Sequence, residues 1–467
     1  MLDDGHRGVH LASWTTSRKC HPMNASLIEL VRFGYGPRGS DPVVPGGLDP
    51  DRVLSQLDTD DPGRVRFARP GLAERLALLD AARAERAARM AGGAPGNAAG
   101  LALKQLARDD LLAWVPEAAA ARCGFRERLV NFWSNRLTVA TGRGELVYFA
   151  ASFRDDVVRP HVGGRFVDML KASVWHPAML NYLDQVRSVG PASRMGQRKG
   201  RGLNENFARE LLELHSMGSG YTQADVTELA RLLAGMLTAP QGGTFDPERA
   251  EPGSKLILGE TFGSGAEEIN RCVEMIALRP ETAESVARAL ARHFLSDTPP
   301  EALVERMATA YRVNGSALRP VYEVLLADPA AADPTLRKVR SPHEFVVASL
   351  RALDLTGAET TPSGPLKRGF RAEAALQAMG QPVLRPRGPD GWPDTAAEWI
   401  SPPWLAARLD WAERLARIAA ERVDPVPLAE HVLGTLGHPD TLRAAGQAEQ
   451  RWEGVAVLFS APDFMRR

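Results

Sequence analysis

The amino-acid sequence predicts an all-α protein: a large multi-helix globular domain with long irregular loops and at most a minor hairpin. Apolar residues recur at intervals of three and four along most of the chain, which is the spacing of amphipathic helices. The alternation of apolar and polar residues that indicates strands is nearly absent. Stretches rich in Pro and Gly separate the helical patterns and predict the loops.

Composition is typical of a globular protein. Hydrophobic residues make up 44% of the 467 residues and charged residues 24%, so the chain can bury a large core. Lys and Arg together number 57, as do Asp and Glu, so no net charge attracts nucleic acid or an anionic membrane. No apolar run approaches the roughly 20 residues that span a bilayer. The three cysteines form no CxxC pair of the kind found in zinc or redox sites.

The first helical pattern begins just after Met23. Residues 1–22 show neither such a pattern nor the apolar core of a signal peptide, so we expect them to be disordered or to reflect a mis-assigned start. The rest, 23–467, is predicted to be a single large helical domain. Its parts are an N-terminal part, 23–150, a central motif region, 151–240, and a C-terminal helical part, 265–467.

Four helices are predicted in the N-terminal part. They cover 26–33, 71–91, 101–122 and 125–140. In the central region, Pro177 interrupts the helical spacing of 164–186, so two helices should meet at His176 and Pro177. A basic Gly-rich loop, 190–202, and a helix, 203–217, come next.

The next helix is expected to begin at Thr222, which forms a capping-box pattern with Asp225. Residues 240–264 predict an irregular excursion with one short hairpin around the sequence KLIL. Beyond it the chain is helical again, with loops rich in Pro, Gly and Trp. The predicted helices are 268–278, 281–295, 300–313, 317–327, 342–354, 369–379, 403–422, 427–436 and 447–459.

The helix 203–217 carries the densest set of polar groups in the chain. Leu203, Phe207, Leu211 and Leu214 fall within an arc of about 80°, which should face the core. Glu210 lies at the edge of this arc. A carboxyl group beside apolar neighbours has a raised pKa unless a cation or donor compensates, which suits a general acid or base.

Other polar residues of this helix extend the candidate site. Glu205, Arg209 and Glu213 have the i, i+4, i+8 spacing of an exposed charge ladder. Asn204 and His215 flank the apolar arc on its other edge. The catalytic candidates are Glu210, Glu213 and His215, and the ligand-binding candidates here are Asn204, Asn206 and Arg209. The alternative is that these groups only tie helices and loops together.

The basic loop before this helix is a candidate for binding an anion. It leads into a helix N-terminus, which favours negative charge, and we expect Arg198 and Arg201 to hold a phosphate or carboxylate there. His176 is a further ligand-binding candidate. The spacing does not match a Walker A loop, so a solvated or partner-docking loop is the alternative. No metal ligand set is predicted, and HExxH is absent.

The run from His161 to Gly235 resembles a bacterial family catalogued as domain of unknown function 1800. The pieces that carry the resemblance there are RPHVGGRFVDML, HPAMLNYLD, GQRKGRGLNENFARELLELH and GYTQADVTELARLL. Further pieces agree in order, namely RFGYGP, ERLVNFW, PGSKLILG, SPHEF and SAPDFMRR. The resemblance covers residues 26–467 and implies a large helical fold without an established reaction.

At three positions the chain departs from the pattern that the resemblance implies. Arg136, Ala250 and Arg279 stand where relatives carry histidine. Arginine has no lone pair to offer a metal and stays protonated. If those histidines form a metal or catalytic site in relatives, this chain has lost it, and the enzyme hypothesis weakens.

We therefore predict a binding or accessory partner of another protein. The resemblance implies a partner from the companion family, domain of unknown function 1501, whose members resemble sulfatases and often carry twin-Arg export signals. Without a signal peptide the chain is expected in the cytoplasm, with co-export to the periplasm beside that partner as the alternative. The alternative function is a hydrolase using the Glu, Asn and His cluster of helix 203–217, with or without a metal; the cofactor is left open.

Overall fold

The computed structural model describes residues 25–58, 67–93, 96–142, 144–200, 202–239, 242–355, 371–419 and 421–467. Helices form most of these residues, and the strands are short and occur in two-stranded pairs. The all-α prediction is therefore confirmed. The prediction for residues 1–22 falls outside these ranges.

Most helices of the first half lie near their predicted positions. Their bounds are α1 Pro50–Ser55, α2 Leu72–Met90, α3 Ala98–Ala120, α4 Gly124–Arg136, α5 Ala150–Phe153, α6 Phe166–Trp175, α7 Pro177–Tyr182, α8 Arg194–Lys199, α9 Asn206–Glu210 and α10 Gln223–Leu233. Single turns of 3₁₀ or π helix connect several of them. The helices α1 and α5 were not predicted, and the predicted helix 26–33 is a strand followed by one π-helical turn, Glu29–Phe33. The break at Pro177 is confirmed, because α6 ends and α7 begins on either side of His176. The capping box of Thr222 and Asp225 is also present.

Two predictions around the candidate site were also wrong. The basic loop 190–202 contains the helix α8, which begins where the Ser193 hydroxyl accepts a hydrogen bond from the Gly196 N–H and ends at Gly200, whose φ is 57°. The predicted helix 203–217 is shorter, since α9 begins only at Asn206 and passes at Leu211–His215 into a π-helical turn.

The helices of the second half also follow the sequence pattern. Their bounds are α11 Ala266–Leu278, α12 Pro280–Phe294, α13 Glu301–Val313, α14 Leu318–Ala327, α15 Pro329–Ala332, α16 Pro342–Ala352, α17 Ala372–Ala378, α18 Pro402–Ala419, α19 Pro425–Val432, α20 Pro439–Gln447 and α21 Arg451–Ser460. Two helices were not predicted, the single turn α15 and the longer α20. The helix α20 is short and mostly exposed, so few apolar positions mark it in the sequence.

Three pairs of short strands complete the architecture. Ala25–Ser26 (β1) runs parallel to Val43–Val44 (β2), and Met236–Ala239 (β3) is antiparallel to Gly242–Phe245 (β4). Lys255–Ile257 (β5) pairs antiparallel with Glu260–Phe262 (β6), which confirms the hairpin predicted around KLIL. The β3–β4 hairpin was missed, since its four-residue strands include glycines and show no alternation of apolar and polar residues.

The buried apolar side chains form two groups. The larger one packs α4, α6 and α10 to α14 together. The second packs α16 against α18, α19 and α21. Helix α3 contributes Leu103 to the first group and Val115 and Ala119 to the second, so its apolar residues belong to both.

A buried ion network fixes the position of α3 against its neighbours. Glu117 of α3 is fully buried and accepts hydrogen bonds from Arg154, from Arg69 at 2.8 Å and from Arg159 at 2.7 Å. Arg159 also binds Glu127 of α4 at 2.9 Å. Although burial alone raises the pKa of Glu117, the surrounding arginines bring it well below its usual value. The carboxylate is therefore charged and neutralises cations that water does not reach.

Neutralising Glu117 tests this network. We expect Glu117→Gln to lower the free energy of unfolding by about 3–5 kcal/mol, because three buried arginines lose their shared counter-ion. Glu145→Gln is the control: its exposed ion pair with Arg83 should contribute no more than ~1 kcal/mol. Urea unfolding of both variants measures the difference. Equal losses would show that burial does not make the Glu117 network special.

Candidate functional site

The helix that carries most of the predicted site is held by its apolar face. Phe207, Leu211 and Leu212 are fully buried in the larger core. Leu203 and Leu214 are half-buried. The predicted core face is thus largely present, and the polar residues project from its margins.

Two residues of the predicted charge ladder serve a local hydrogen-bond network. Arg209 lies 3.6 Å from the carboxylate of Glu205 and donates to the side-chain oxygen of Gln223. Glu205 also accepts hydrogen bonds from Gln223 at 2.8 Å and from Thr227 at 2.7 Å. These contacts fasten α9 to α10 and explain both side chains without a ligand.

Glu210 and Glu213 are different, because they lie near further negative charge. Glu210 is half-buried, and burial, followed by the charges of Glu213 and Asp390, raises its pKa. This is the direction expected from the sequence. The carboxylate of Glu210 has no hydrogen-bond or ion-pair partner among the described residues. Glu213 is exposed and accepts a hydrogen bond of 3.0 Å from the hydroxyl of Tyr221.

The asparagines and His176 make contacts that position the backbone. The side-chain amide of Asn204 donates to the carbonyl of Asp184 at 3.2 Å, and its oxygen accepts from the N–H of Asn206. The side chain of Asn206 is exposed. His176 caps α7, since its Nδ1 accepts from the N–H of Ala178 at 3.1 Å. Burial lowers the pKa of His176.

The basic residues of 190–202 lie on the surface. Arg198 is exposed and lies 3.7 Å from the carboxylate of Glu248, so it already has an anionic partner. Arg201 lies outside the described residues. Of the two arginines predicted to bind an anion at this loop, Arg198 alone can therefore be placed, and its position does not require a ligand.

His215 is buried at the end of the π-helical turn. Neither of its ring nitrogens has a hydrogen-bond partner among the described residues. Burial, reinforced by the positive charge of Arg136, lowers its pKa to about 3. The ring is therefore neutral at pH 7, and a proton on it would be opposed by both effects.

A central cavity of about 420 Å³ lies beside this turn. Helix α4 forms one wall with residues at positions i, i+3, i+4, i+7 and i+8 of one helix face, namely Arg128, Asn131, Phe132, Asn135 and Arg136. Helix α12 forms a second wall with Ser285, Ala289, Arg292 and His293. Of the predicted site residues that the structure describes, Glu213 lines this cavity and the others do not.

An ionic cluster forms one side of the cavity. Glu344 of α16 accepts hydrogen bonds from Arg128 at 2.7 Å and from Arg467 at 3.1 Å. Burial alone raises the pKa of Glu344, but Arg467 and Arg128 bring it well below its usual value. Arg467 also donates to the carbonyl of His293 at 2.7 Å, which joins the cluster to α12.

His293 extends this cluster to the loop after α17. Its Nε2 lies 3.1 Å from a guanidinium nitrogen of Arg128, and its Nδ1 lies 3.0 Å from the carboxylate of Asp394. Because a guanidinium can only donate, Nε2 accepts and Nδ1 carries the proton that binds Asp394. Burial lowers the pKa of His293, so this neutral tautomer is held at pH 7.

Two arginines of the cavity wall have no anionic partner among the residues that the structure describes. Arg136 donates to the carbonyl of Ser216 at 3.0 Å and to the hydroxyl of Ser285 at 2.8 Å, and no carboxylate of the described residues pairs with it. Burial lowers its pKa to about 10, so it remains charged at pH 7. The guanidinium of Arg292 has no hydrogen-bond or ion-pair partner in the described part of the chain, and its Nε is buried.

This cavity was not predicted from the sequence. A signal was present, since RERLVNFWSNR places Arg128, Asn131, Asn135 and Arg136 on one face of a helix. The angular spacing that selected Glu210 would also have selected these residues. The opposite wall could not be found in this way, because residues 381–394 follow no helical spacing.

Neither a metal-binding cluster nor a membrane-spanning helix occurs in the part of the chain that the structure describes. No group of three or more His, Cys, Asp or Glu side chains among those residues is placed to hold a metal ion. Within the same ranges, the helices are too short or too polar to cross a bilayer.

Replacing His215 by leucine should change how stability depends on pH. Unfolded histidine takes up a proton near pH 6.5, whereas folded His215 does so only near pH 3. Between these values the group costs about 1.4 kcal/mol of stability for each unit that the pH falls. We expect His215→Leu to lose less stability than wild type between pH 7 and pH 5 in urea unfolding. His438→Asn, which changes an exposed imidazole, is the control; an unchanged pH dependence of His215→Leu would refute this account.

Comparison with known proteins assigns the family. No curated protein and no solved structure matches the chain. The model of one family, described as "Protein of unknown function (DUF1800)", matches residues 29–466. Since this match spans nearly the whole chain, the protein belongs to the DUF1800 family.

Proposed function

We propose that this chain is a binding protein whose central cavity receives the anionic group of a ligand. The observation that carries the proposal is the pair of arginines, Arg136 and Arg292, which line the cavity without a carboxylate partner among the described residues. A charge that is partly removed from water is costly unless an opposite charge compensates it. A carboxylate or phosphate in the cavity would supply that compensation.

Other arginines of the protein make this argument specific to the cavity. Arg32 also lacks a carboxylate within ion-pair distance, but it is buried and its guanidinium donates to the carbonyls of Ala331 and Thr335 at 2.8 Å. Arg408 is also buried and donates to the carbonyl of Arg340 through Nη2, while its Nε and Nη1 have no partner among the described residues. Those two arginines hold the fold together, whereas Arg136 and Arg292 border a space that a ligand can enter.

The contacts of Arg136 support a role in orienting the ligand. Its Nη2 is shared between α12 and the end of the π-helical turn, which fixes the plane of the guanidinium. These contacts use both hydrogens of Nη2, so Nη1, for which the described residues offer no partner, is left to donate to a carboxylate or phosphate oxygen. Lysine would bring the same charge without that geometry.

We also propose that the chain acts as an accessory to a partner protein. That partner would be a sulfatase-like member of the family domain of unknown function 1501. The support for this role is the family resemblance alone. Expressing both proteins together and fractionating the cells tests it. Co-purification, with the chain recovered from the periplasm, is the expected result, and recovery from the cytosol alone would count against co-export.

A hydrolase that uses Glu210 is the second candidate. The raised pKa of Glu210 favours it, because a general acid must hold a proton near neutral pH. Glu210 does not line the cavity, however, and Asn204 is occupied by backbone contacts. Metal analysis of wild type beside Glu210→Gln separates the candidates: stoichiometric metal that disappears in Glu210→Gln would favour the hydrolase, and equal metal content would favour the binding protein.

Removing either unpaired arginine should weaken anion binding. We expect Arg136→Gln and Arg292→Gln each to reduce the affinity for inorganic phosphate about tenfold or more, since a charge-assisted hydrogen bond contributes ~1.5–3 kcal/mol. Isothermal titration calorimetry at low ionic strength measures this.

Arg83→Gln is the matched control, because Arg83 is exposed, paired with Glu145 and outside the central cavity. Its affinity for phosphate should equal that of wild type. If Arg136→Gln and Arg292→Gln also bind phosphate as wild type does, the cavity is not the anion site.

A further inference from the structure

Trp392 lines the central cavity together with Arg136 and Arg292. The backbone N–H of Trp392 donates to the side-chain oxygen of Asn135 at 2.7 Å, and the backbone carbonyl of Trp392 accepts from the side-chain amide of Asn135 at 2.8 Å. Asn135 is the chain neighbour of Arg136. Two residues beyond Trp392, the carboxylate of Asp394 binds His293, the chain neighbour of Arg292. The loop thus spans the cavity from the end of α4 to the end of α12.

The indole of Trp392 is supported from behind. Its ring lies 6.3 Å from that of the buried Trp399, which in turn lies 6.1 Å from the ring of Trp404. The indole N–H of Trp399 donates to the carbonyl of Pro393 at 3.1 Å. Gly391 allows the loop to approach α4, since its φ is 76° and a Cβ there would strike the carbonyl of Asn135. Trp392 is therefore held in place before any ligand arrives.

Most polar side chains of the cavity already have partners within the protein. Both ends of the Asn135 amide bind Trp392, and the amide of Asn131 donates to the hydroxyl of Tyr35. The oxygen of Gln381 accepts from the N–H of His343, and Ser285 accepts from Arg136. Among the neutral groups that line the cavity, the hydroxyl of Ser134 and Nε2 of His343 are buried without a partner in the described part of the chain. Apolar side chains, including Phe132, Leu214 and Leu384, line the space between them.

We infer that the ligand of this cavity joins one anionic group to a flat aromatic ring, with the anion on Arg136 and Arg292 and the ring against Trp392. This inference rests on the proposed function and adds the chemical class of the ligand. An aryl carboxylate or aryl phosphate has both parts and needs no further hydrogen bonds. A volume of about 420 Å³ lies in the range of small-molecule sites and accommodates such a compound.

Three phosphates test the inference by calorimetry with the full chain: inorganic phosphate, phenyl phosphate and glucose 6-phosphate. We expect phenyl phosphate to bind about tenfold more tightly than either of the others, because its ring gains aromatic contact and burial. Trp392→Leu, which keeps the backbone contacts to Asn135, should abolish that advantage and leave the affinity for inorganic phosphate unchanged. Trp452→Leu is the control, since Trp452 packs under Arg417 and does not line the cavity.

The outcomes separate this inference from the proposed function. If inorganic phosphate binds through Arg136 but glucose 6-phosphate binds as tightly as phenyl phosphate, the aromatic class is wrong and the anion site stands. The same holds if Trp392→Leu retains the full advantage of phenyl phosphate. If none of the three phosphates binds, both the anion site and the aromatic class are overturned.

Discussion

The charge of Glu344 is the constraint on which the centre of this protein depends. Two buried arginines converge on it, one from α4 and one from the last residue of the chain, and the second also binds the backbone of α12. Since neither arginine can lose its proton at neutral pH, the carboxylate must lie where both reach it. That requirement fixes the relative positions of α4, α12 and α16, and the cavity is the space enclosed between them.

This cluster also determines which charged groups around the cavity are already paired. Arg128 is satisfied by Glu344 and His293, and Asp394 is satisfied by His293 and Lys338, so these groups are neutralised among themselves. Arg136 and Arg292 have no carboxylate within ion-pair distance among the described residues, although Glu213 and Asp390 also line the cavity. Burial is the main cause of the raised pKa of Glu210, and the negative charges of Glu213 and Asp390 add to it. Of the residues that line the cavity, the arginines without a carboxylate partner among the described residues lie on α4 and α12.

The sequence predicted the helices well because their information is local. The spacing around Phe207 and Leu211, the break at Pro177 and the caps at Thr222 each involve residues within a turn or two of one another. The candidate site could not be found by the same means. Asn135 and Trp392 are 257 residues apart, and Arg128 and Glu344 are 216 residues apart, so no periodicity links them. Choosing the helix densest in polar residues therefore selected side chains that mostly serve local contacts.

The π-helical turn at Leu211–His215 gives the chain one residue more than an α-helical turn would hold. Each residue added to a helix rotates the side chains after it by about 100° around the helix axis. The apolar residues before the turn can thus face the core, while Glu213 and Leu214 reach the cavity. Losing one residue here would leave hydrophobicity and charge almost unchanged, yet it would rotate this edge of the cavity away. The length of this segment, as much as its composition, is therefore under constraint, and substitutions should be tolerated here more readily than insertions or deletions.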